Sequence, residues 1–326
     1  MNLKKILSFA LASLILCLCL TSCLNGNKKS VMTVDSFEVP YEVYRYVALN
    51  SKWDIEAEYG KDVWQSENAD AALEALKEDI KWHLATLYTV CSLAADYGLS
   101  WDDKSISAAV EIKMTQIKDE FEDDAAFNDG LEEAGLTAGA FEFILANESL
   151  IDEVYLKIAY ADEKHSDNNY LRELFLGDSF IRVKQILVGG ENAGTDEENL
   201  EIAQQIMDKL NNGEDFDVLC KQYNNDLYMF NNDIGYYITR GLRDVEFENA
   251  AFALEIGETS GIVKTASGYS IIKRYEKDEA YIDENFASLT DEYFESLYTS
   301  AFEERFEKIL TEMPSLPDDI DLVELK

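Results

Sequence analysis

The fold of this chain is decided by the stretch from Phe180 to Tyr275, which begins with FIRVKQILV at 180–188 and ends with SGYSIIKRY at 267–275. Both ends are rich in β-branched and aromatic residues, and a glycine pair follows the first of them. Segments of this kind are typical of strands. The sequence therefore predicts strands over 183–188 and 269–273.

The remaining elements of this stretch can be placed between those two strands. A capping box at 195–198 starts one helix, and Asp215 caps a second. Residues 234–238 are predicted to form a strand, and 247–254 a short helix. A further strand is expected in GETSGIVKT at 257–265. The expected unit is a four-stranded antiparallel sheet covered by helices.

Apolar residues at spacings of three and four predict helices on both sides of this stretch. The stripes cover residues 73–94, 106–121, 141–158 and 286–309. Gly98 closes the first helix and Pro314 stops the last, because proline cannot continue a helix. Such stripes are typical of core positions. His83, beside the first stripe, and His165, in a polar segment after the third, are predicted to be structural.

The first residues of the chain have the composition of a secretion signal. Two lysines precede an apolar run from Ile6 to Leu20, which is too short for an ordinary spanning helix. The sequence LTSC at 20–23 follows directly and resembles a lipoprotein cleavage box, so residues 1–22 are predicted to be removed and Cys23 to be lipidated. Residues 23–30 then form a polar tether. Two alternatives stay open: ordinary cleavage with Cys23 as a bystander, and an uncleaved anchor.

Cysteine and histidine usage excludes several kinds of site. Two of the five cysteines leave with the signal and Cys23 takes the lipid, so only Cys91 and Cys220 remain, each in a predicted helix as a buried small hydrophobe. A disulfide-stapled scaffold is thereby excluded. The two histidines lack a Cys or His partner at ligand spacing, so neither a zinc site nor a Ser-His-Asp triad is predicted. No metal and no cofactor is expected.

The chain is strongly acidic, with 28 basic and 65 acidic side chains and a net charge of −37. Removal of the two signal lysines leaves 26 basic against 65 acidic side chains, a charge of −39. Nucleic acid and anionic lipid headgroups bind clustered Lys and Arg, so neither is an expected ligand. The charge attracts basic polypeptides or divalent cations, or it serves only to keep the chain soluble.

Six motifs in the stretch from Phe180 to Tyr275 occur in an order that resembles the parvulin family of peptidyl-prolyl isomerases. They are RVKQILV (182–188), GEDFDVL (213–219), NDIGYY (232–237), the pair RG (240–241) with FENAAFAL (247–254), GETSGIVKT (257–265) and SGYSIIK (267–273). The resemblance covers nearly the whole of a parvulin domain. It implies catalysis of rotation about X-Pro bonds, a reaction slow enough to limit folding.

The same resemblance implies a set of site residues. Asp226 falls where parvulins carry Asp or Cys, and Phe247 with Leu242 nearby falls at the slot for the proline ring. Thr265 and Ser267 fall at polar positions of the last two strands. A catalyst of this kind has to bind the twisted amide better than either planar form, and nothing needs to attack the carbonyl.

The chain departs from the family pattern at three positions. Gln185 and Ser270 stand where the family usually has histidines in its first and last strands, and Arg243 stands where many relatives have Met or Leu. Two hypotheses follow: an isomerase whose polar network around Asp226 is rebuilt, or a parvulin fold kept for binding without catalysis. The loop 189–194 has no Arg or Lys to hold a phosphate, so specificity for phosphoserine-proline is not expected.

The helical parts resemble the chaperone region of PrsA- and SurA-type foldases, through a strand-like piece at 31–41 that leads into a helix and through GLTAGAFEFIL at 135–145. The resemblance implies an α+β protein in which a helical chaperone lobe carries an inserted parvulin-like domain. The predicted domains are the lobe at 31–176, the parvulin-like domain at 177–278 and, at 279–326, a C-terminal helix and tail that pack back on the lobe.

Three functions are compatible with these features. The first is a foldase tethered to the outer face of the cytoplasmic membrane, which binds newly secreted polypeptides and isomerises their X-Pro bonds. The second is a holdase without catalysis, in which the parvulin-like domain is a second binding surface. The third is an adaptor lipoprotein, which no feature favours positively. The client proteins and the oligomeric state do not follow from the sequence.

Overall fold

The computed structural model describes residues 30–100, 103–190, 194–230 and 233–325. The predicted signal and Cys23 lie outside these residues. By its contacts the chain divides into two compact units, one made of residues up to 157 with those from 301 onward, the other of 158–300. The predicted domain boundaries at 176/177 and 278/279 follow family resemblance and fall within the second unit; they stay predictions.

The first unit begins with a two-stranded antiparallel hairpin, β1 (Ser30–Val34) and β2 (Phe37–Pro40). The sequence indicated a single strand-like piece here. Asp35 adopts a positive φ of 52° at the turn, a conformation that Asp tolerates better than most residues, and the segment folds back on itself.

Five helices follow in order, and their buried faces form the core of this unit. They are α1 (Tyr41–Tyr59), α2 (Ala69–Asp96), α3 (Lys104–Lys118), α4 (Asp124–Glu133) and α5 (Ala138–Ala159). The stripe predicted for α2 is its buried face, where Leu76, Ile80, Leu84 and Cys91 are fully enclosed. Gly98 has a φ of 66° directly after α2, as expected of a helix-ending glycine.

The end of the chain makes long-range contacts within this unit, among them bonds of Arg305 and Lys52. Arg305 bonds to the carboxylate of Asp96, 209 positions earlier in the chain. The ammonium of Lys52 donates to the carbonyl oxygen of Leu325 at 3.0 Å, across 273 positions. Residues far apart in the sequence therefore meet in this unit.

The second unit contains a four-stranded sheet and the helices around it. Its elements are α6 (Asn168–Leu176), β3 (Ile181–Gly189), α7 (Asp196–Asn211), α8 (Phe216–Tyr223), α9 (Leu227–Phe230), β4 (Tyr236–Ile238), α10 (Val245–Ala253), β5 (Thr259–Thr265), β6 (Gly268–Tyr275), α11 (Glu279–Glu284) and α12 (Phe286–Glu312), whose last residues belong to the first unit. The strand order is β4-β3-β6-β5 and every pairing is antiparallel, which confirms the predicted sheet.

The predicted helix starts of this unit are also confirmed. The Thr195 side chain accepts from the backbone of Glu198 while the Glu198 side chain accepts from that of Thr195, a complete capping box. The Asp215 carboxylate accepts from the N–H of Val218 and caps α8.

The two faces of the sheet bury different residues, because side chains alternate along a strand. Helices α7 and α8 cover one face, where Ile186, Val188 and Ile271 lie in a common apolar cluster. Helix α10 covers the other, where Val183 and Ile272 are buried. Pairing of Gln185 with Ile272 and of Leu187 with Ser270 places the Gln185 and Ser270 side chains on this second face.

The two ends of the sheet domain lie side by side. Arg182 near the start of β3 pairs with Tyr275 at the end of β6. The ammonium of Lys277 donates to the carbonyl oxygens of Phe180, at 2.9 Å, and Gly177. The polypeptide therefore leaves this domain close to where it came in.

Candidate active site

A continuous chain of hydrogen bonds runs through the predicted site. The Ser270 hydroxyl donates to Gln185 Oε1 at 3.0 Å, and Gln185 Nε2 donates to Asp226 Oδ2 at 2.6 Å. The Tyr236 hydroxyl donates to the same Asp226 oxygen at 2.8 Å. Ser270 is 1% exposed and Gln185 8%, while Asp226 and Tyr236 are half-buried. The structure thus brings together three of the predicted residues and one that the sequence analysis did not single out.

The second carboxylate oxygen of Asp226 has a local structural role. It accepts from the backbone N–H groups of Tyr228 at 3.0 Å and Met229 at 3.4 Å, which caps the short helix α9. Each Asp226 oxygen is thereby held by two donors, and the side chain has one orientation. Any test of Asp226 has to separate this cap from a role in chemistry.

The loop that carries Asp226 is fixed to strand β3 by Asn224. The Asn224 side chain accepts from the N–H of Leu187 and donates to the carbonyl oxygen of Gln185, both at 2.8 Å. It also accepts from the N–H of Asp226 at 3.0 Å. One amide thus satisfies strand groups and sets the distance between Asp226 and Gln185, which lie 41 positions apart.

Tyr236 is kept as a hydrogen-bond donor by its surroundings. Burial, followed by its hydrogen bond to Asp226 and the negative charge there, raises the pKa of Tyr236 above its usual 10, and Arg243 opposes this. The ring stacks on Tyr228, with centroids 4.8 Å apart and planes at 13°. The Arg243 guanidinium lies 4.2 Å from the centroid of the same ring. Arg243, predicted at the substrate slot, therefore contacts the network through Tyr236.

The loop with Leu242 and Arg243 is organised by a buried carboxylate that the sequence analysis did not single out. Glu248 in α10 is 5% exposed, and its Oε1 accepts from the backbone N–H groups of Gly241, Leu242 and Arg243 at 2.8, 3.0 and 3.0 Å. Gly241 has a φ of 93°, which favours glycine at the turn. The motifs RG and FEN are thus two halves of one contact.

The remaining predicted residues lie apart from the hydrogen-bond chain. Phe247 is 5% exposed and packs in the apolar cluster of the α10 face. Thr265 donates to the carbonyl oxygen of Gly268 at 3.3 Å, and exposed Ser267 accepts from Gly190 through its backbone, so both belong to the β5–β6 turn. Within the described ranges, no hydrogen bond joins Thr265 or Ser267 to Asp226.

A cleft of about 350 Å³ is lined in part by Tyr236. It is lined by Tyr228, Tyr236, Tyr237, Tyr281, Arg243 and Glu292, and we call it the tyrosine cleft. Leu242 also lines it. All of these residues belong to the second unit.

A metal site in the part of the chain that the structure describes would need a cluster of ligating side chains. Over those residues no group of three His, Cys, Asp or Glu side chains is placed to hold an ion. Cys91 and Cys220 are buried, as predicted, and burial raises the pKa of the Cys220 thiol. His165 is buried and His83 bonds to Asp79, which fits their predicted structural roles.

These features agree with a match to a family of known proteins. The family described as rotamase, the PPIC-type peptidyl-prolyl isomerase domain, matches residues 180–276. The class of this domain is therefore the parvulin-type peptidyl-prolyl isomerase.

Comparison along more of the chain points to one group within that class. The foldase protein PrsA of Caldanaerobacter subterraneus subsp. tengcongensis is 28% identical over 275 residues, which is 82% of this chain and 79% of the relative. PrsA of Bacillus subtilis is 36% identical over 104 residues, 32% of each chain. A solved PrsA from Bacillus anthracis aligns with 69% of this chain and 94% of its own, at 24% identity and a TM-score of 0.39. The chain is similar to PrsA foldases over most of its length, and residues 180–276 match the PPIC-type domain.

Proposed function

We propose that this protein is a lipid-anchored extracytoplasmic foldase, which binds newly secreted polypeptides and accelerates isomerisation of their X-Pro bonds at Asp226. The observation that carries the proposal is the unbroken hydrogen-bond chain from Ser270 through Gln185 to Asp226 and Tyr236. Where the family usually has two histidines, Gln and Ser form a connected polar network. This supports a rebuilt site over a decayed one.

The chemistry required of this network is electrostatic. Resonance in a planar amide puts partial negative charge on the carbonyl oxygen and creates a rotation barrier of roughly 18–20 kcal/mol. A carboxylate held beside that oxygen disfavours the planar form relative to the twisted one, in which the resonance is lost. The four donors around Asp226 hold its carboxylate in place, so little reorganisation accompanies the reaction.

The proline ring requires an apolar slot near Asp226. The family resemblance assigns this slot to Phe247 and Leu242. Because Phe247 is almost fully enclosed while Leu242 is half-buried, Leu242 supplies the larger part of the apolar surface. Arg243 borders this slot, and its guanidinium is engaged with the Tyr236 ring.

Isomerase kinetics of the mature chain test the proposal. Asp226→Ala removes both the carboxylate and the α9 cap, whereas Asp226→Asn keeps an oxygen that can cap α9 and removes the charge together with the oxygen that accepts from Gln185 and Tyr236. Both variants are expected to lose at least about tenfold in kcat/KM on a proline peptide, which corresponds to about 1.4 kcal/mol. Asp208→Asn, with the same charge change on the exposed side of α7, is the matched control and keeps full activity.

The outcome that refutes the enzyme is equally definite. If the wild type and both Asp226 variants isomerise the peptide at the uncatalysed rate, while hydrogen exchange shows an intact sheet, there is no isomerase site. If only Asp226→Ala loses activity, in proportion to its loss of stability, Asp226 is a cap and not a catalytic group.

A holdase without catalysis is the second candidate, and one observation in the first unit favours it. An open groove of about 550 Å³ is lined by Val110 and Met114 of α3, Phe127 of α4 and Ala138 of α5. Such a groove suits binding of apolar segments of unfolded chains. Replacing 180–275 by a short linker, possible because the two ends are adjacent, is expected to leave most aggregation suppression intact. Loss of suppression by a folded deletion variant would contradict this assignment.

A further inference from the structure

The walls of the tyrosine cleft are fixed before any ligand arrives. Tyr228 and Tyr236 stack at 4.8 Å, and Tyr237 and Tyr281 stack with the same separation and an interplanar angle of 13°. The Tyr237 hydroxyl accepts from the N–H of Asp278 at 2.7 Å and donates to the carbonyl oxygen of that residue at 3.3 Å. The volume of about 350 Å³ lies at the lower end of the range of about 300–1,000 Å³ typical of small-ligand sites.

The charges in the cleft favour a cationic guest. Glu292 and Glu295 on α12 line it together with one cation, Arg243. Burial raises the pKa of Glu292, and Arg243 opposes that rise. Within the described ranges, no Lys or Arg nitrogen lies within 4.0 Å of the Glu292 carboxylate. Two carboxylates against one guanidinium leave a negative balance, and tyrosine faces attract cations.

The opposite assignment, in which Arg243 binds an acidic guest, is disfavoured by the same contacts. The Arg243 guanidinium already lies against the Tyr236 ring, and its positive charge acts electrostatically on Glu292. An acidic side chain entering the cleft meets Glu292 and Glu295 as well as Arg243. Across the protein, a net charge of −37 also repels acidic segments.

The cleft adjoins the proposed catalytic centre through a single side chain. Tyr236 lines the cleft, while its hydroxyl donates to Asp226 at 2.8 Å. An extended peptide advances about 3.3–3.6 Å per residue. A polypeptide with its X-Pro bond at Asp226 therefore presents a residue within one or two positions of the proline to the cleft.

We propose that the tyrosine cleft binds a lysine or arginine side chain of the client next to the X-Pro bond, so that the isomerase selects prolines with a basic neighbour. The selectivity of isomerisation rests on the proposed function, whereas binding of the basic side chain in the cleft does not. The cation lies against the tyrosine faces and pairs with Glu292, while the peptide bond lies at Asp226.

The test uses peptides that differ at one position beside proline. Lys, Gln and Glu are placed in turn before and after an otherwise constant Xaa-Pro sequence, and kcat/KM is measured with the mature chain. We expect the better Lys peptide to exceed its Glu counterpart by about tenfold, with Gln between them. In Glu292→Gln this ratio falls to about threefold or less. Glu304→Gln, an exposed residue of the same helix outside the cleft, keeps the wild-type ratio.

A binding measurement separates failure of this inference from failure of the proposed function. NMR titration with the Lys and Glu peptides shows whether resonances of Tyr281 and Tyr237 shift selectively with Lys. Selective shifts that disappear in Glu292→Gln support the cleft even if no peptide is isomerised. Isomerisation with equal kcat/KM for Lys, Gln and Glu, a preference for Glu, or a Lys preference that survives Glu292→Gln would each overturn the cleft assignment and leave the enzyme standing.

Discussion

Replacing Glu248 is expected to loosen the second unit without disturbing the first. Three backbone N–H groups converge on one Glu248 oxygen at 2.8–3.0 Å, and the side chain is 5% exposed. Hydrogen bonds to charged groups contribute about 1.5–3 kcal/mol each, although three bonds to one oxygen do not add fully. Gly241 and Leu242 are only half-buried, so water replaces part of what is lost. Glu248→Ala should therefore cost about 3–5 kcal/mol, and Glu248→Gln, which keeps an acceptor, about 1–2 kcal/mol.

The position of the tryptophans allows both units to be followed in one sample. All four tryptophans precede residue 102, so their fluorescence in a urea titration reports on the first unit. Amide hydrogen exchange of 236–275 reports on the second. Glu246→Ala, an exposed residue of the same helix, is the control for charge and helix propensity.

The expected pattern is loss of protection over 236–275 in Glu248→Ala, with an unchanged fluorescence midpoint. Protection within about 0.5 kcal/mol of the wild type, the size of an ordinary surface substitution, would refute the argument that Glu248 organises this loop. If the fluorescence titration and the hydrogen exchange report equal losses of unfolding free energy, the argument that Glu248 acts on the second unit alone is also refuted.

Three further predictions concern pH, catalysis and anchoring. Burial lowers the pKa of His83, but the hydrogen bond and charge of Asp79 outweigh it and hold the pKa above 6.5. The protonated His83 therefore stabilises the fold below pH 6.5, and this stabilisation is lost as the pH rises through the folded pKa. In urea titrations, the free energies of unfolding of the wild type and His83→Gln should differ by less than about 1 kcal/mol at acidic pH and converge at alkaline pH. Gln185→His with Ser270→His is expected to raise kcat/KM on a proline peptide, and an unchanged or lower rate in the folded variant would speak against a weakened site. Cys23→Ala should release the protein from the membrane or leave the precursor unprocessed in cell fractionation, whereas unchanged retention and processing rule out the lipid anchor.

Local patterns predicted the elements that local physics determines. The capping residues Thr195 and Asp215 marked helix starts because the cap is made within three residues of each. The strand predicted over 234–238 is shorter, since Gly235 has a φ of 91° and a side chain there would collide with the carbonyl oxygen of Val183. Helix α4 was missed because Phe127 and Leu131 are its only buried residues, too few for a recognisable stripe.

The site residues were predicted only in part, because the pairing register of β3 and β6 cannot be derived from the sequence. Family resemblance indicated Asp226, Gln185 and Ser270, but neither spacing nor composition shows that β3 and β6 pair so that Ser270 meets Gln185. The roles of Tyr236 and Glu248 depend on hydrogen bonds from their hydroxyl and carboxylate to neighbouring loops, and hydrophobic periodicity does not reveal such bonds. Tyrosines in NDIGYY and the glutamate in FEN were visible, but their partners were not.

Contacts that join the two ends of the described chain set an order of folding. The ribosome synthesises the N-terminal helices first, but Asp96 cannot bond to Arg305 until 209 further residues have been made. The second unit is complete earlier, at residue 300. Once the sheet has formed, pairing of Arg182 with Tyr275 shortens the loop between Asp96 and Arg305 by about 95 residues. The entropic cost of closing that loop then falls by only about 0.5 kcal/mol. This effect on stability is small, and the main consequence is the order in which the contacts can form. During synthesis, the first unit therefore forms its contacts with residues from 301 onward only after the whole of the second unit has been made.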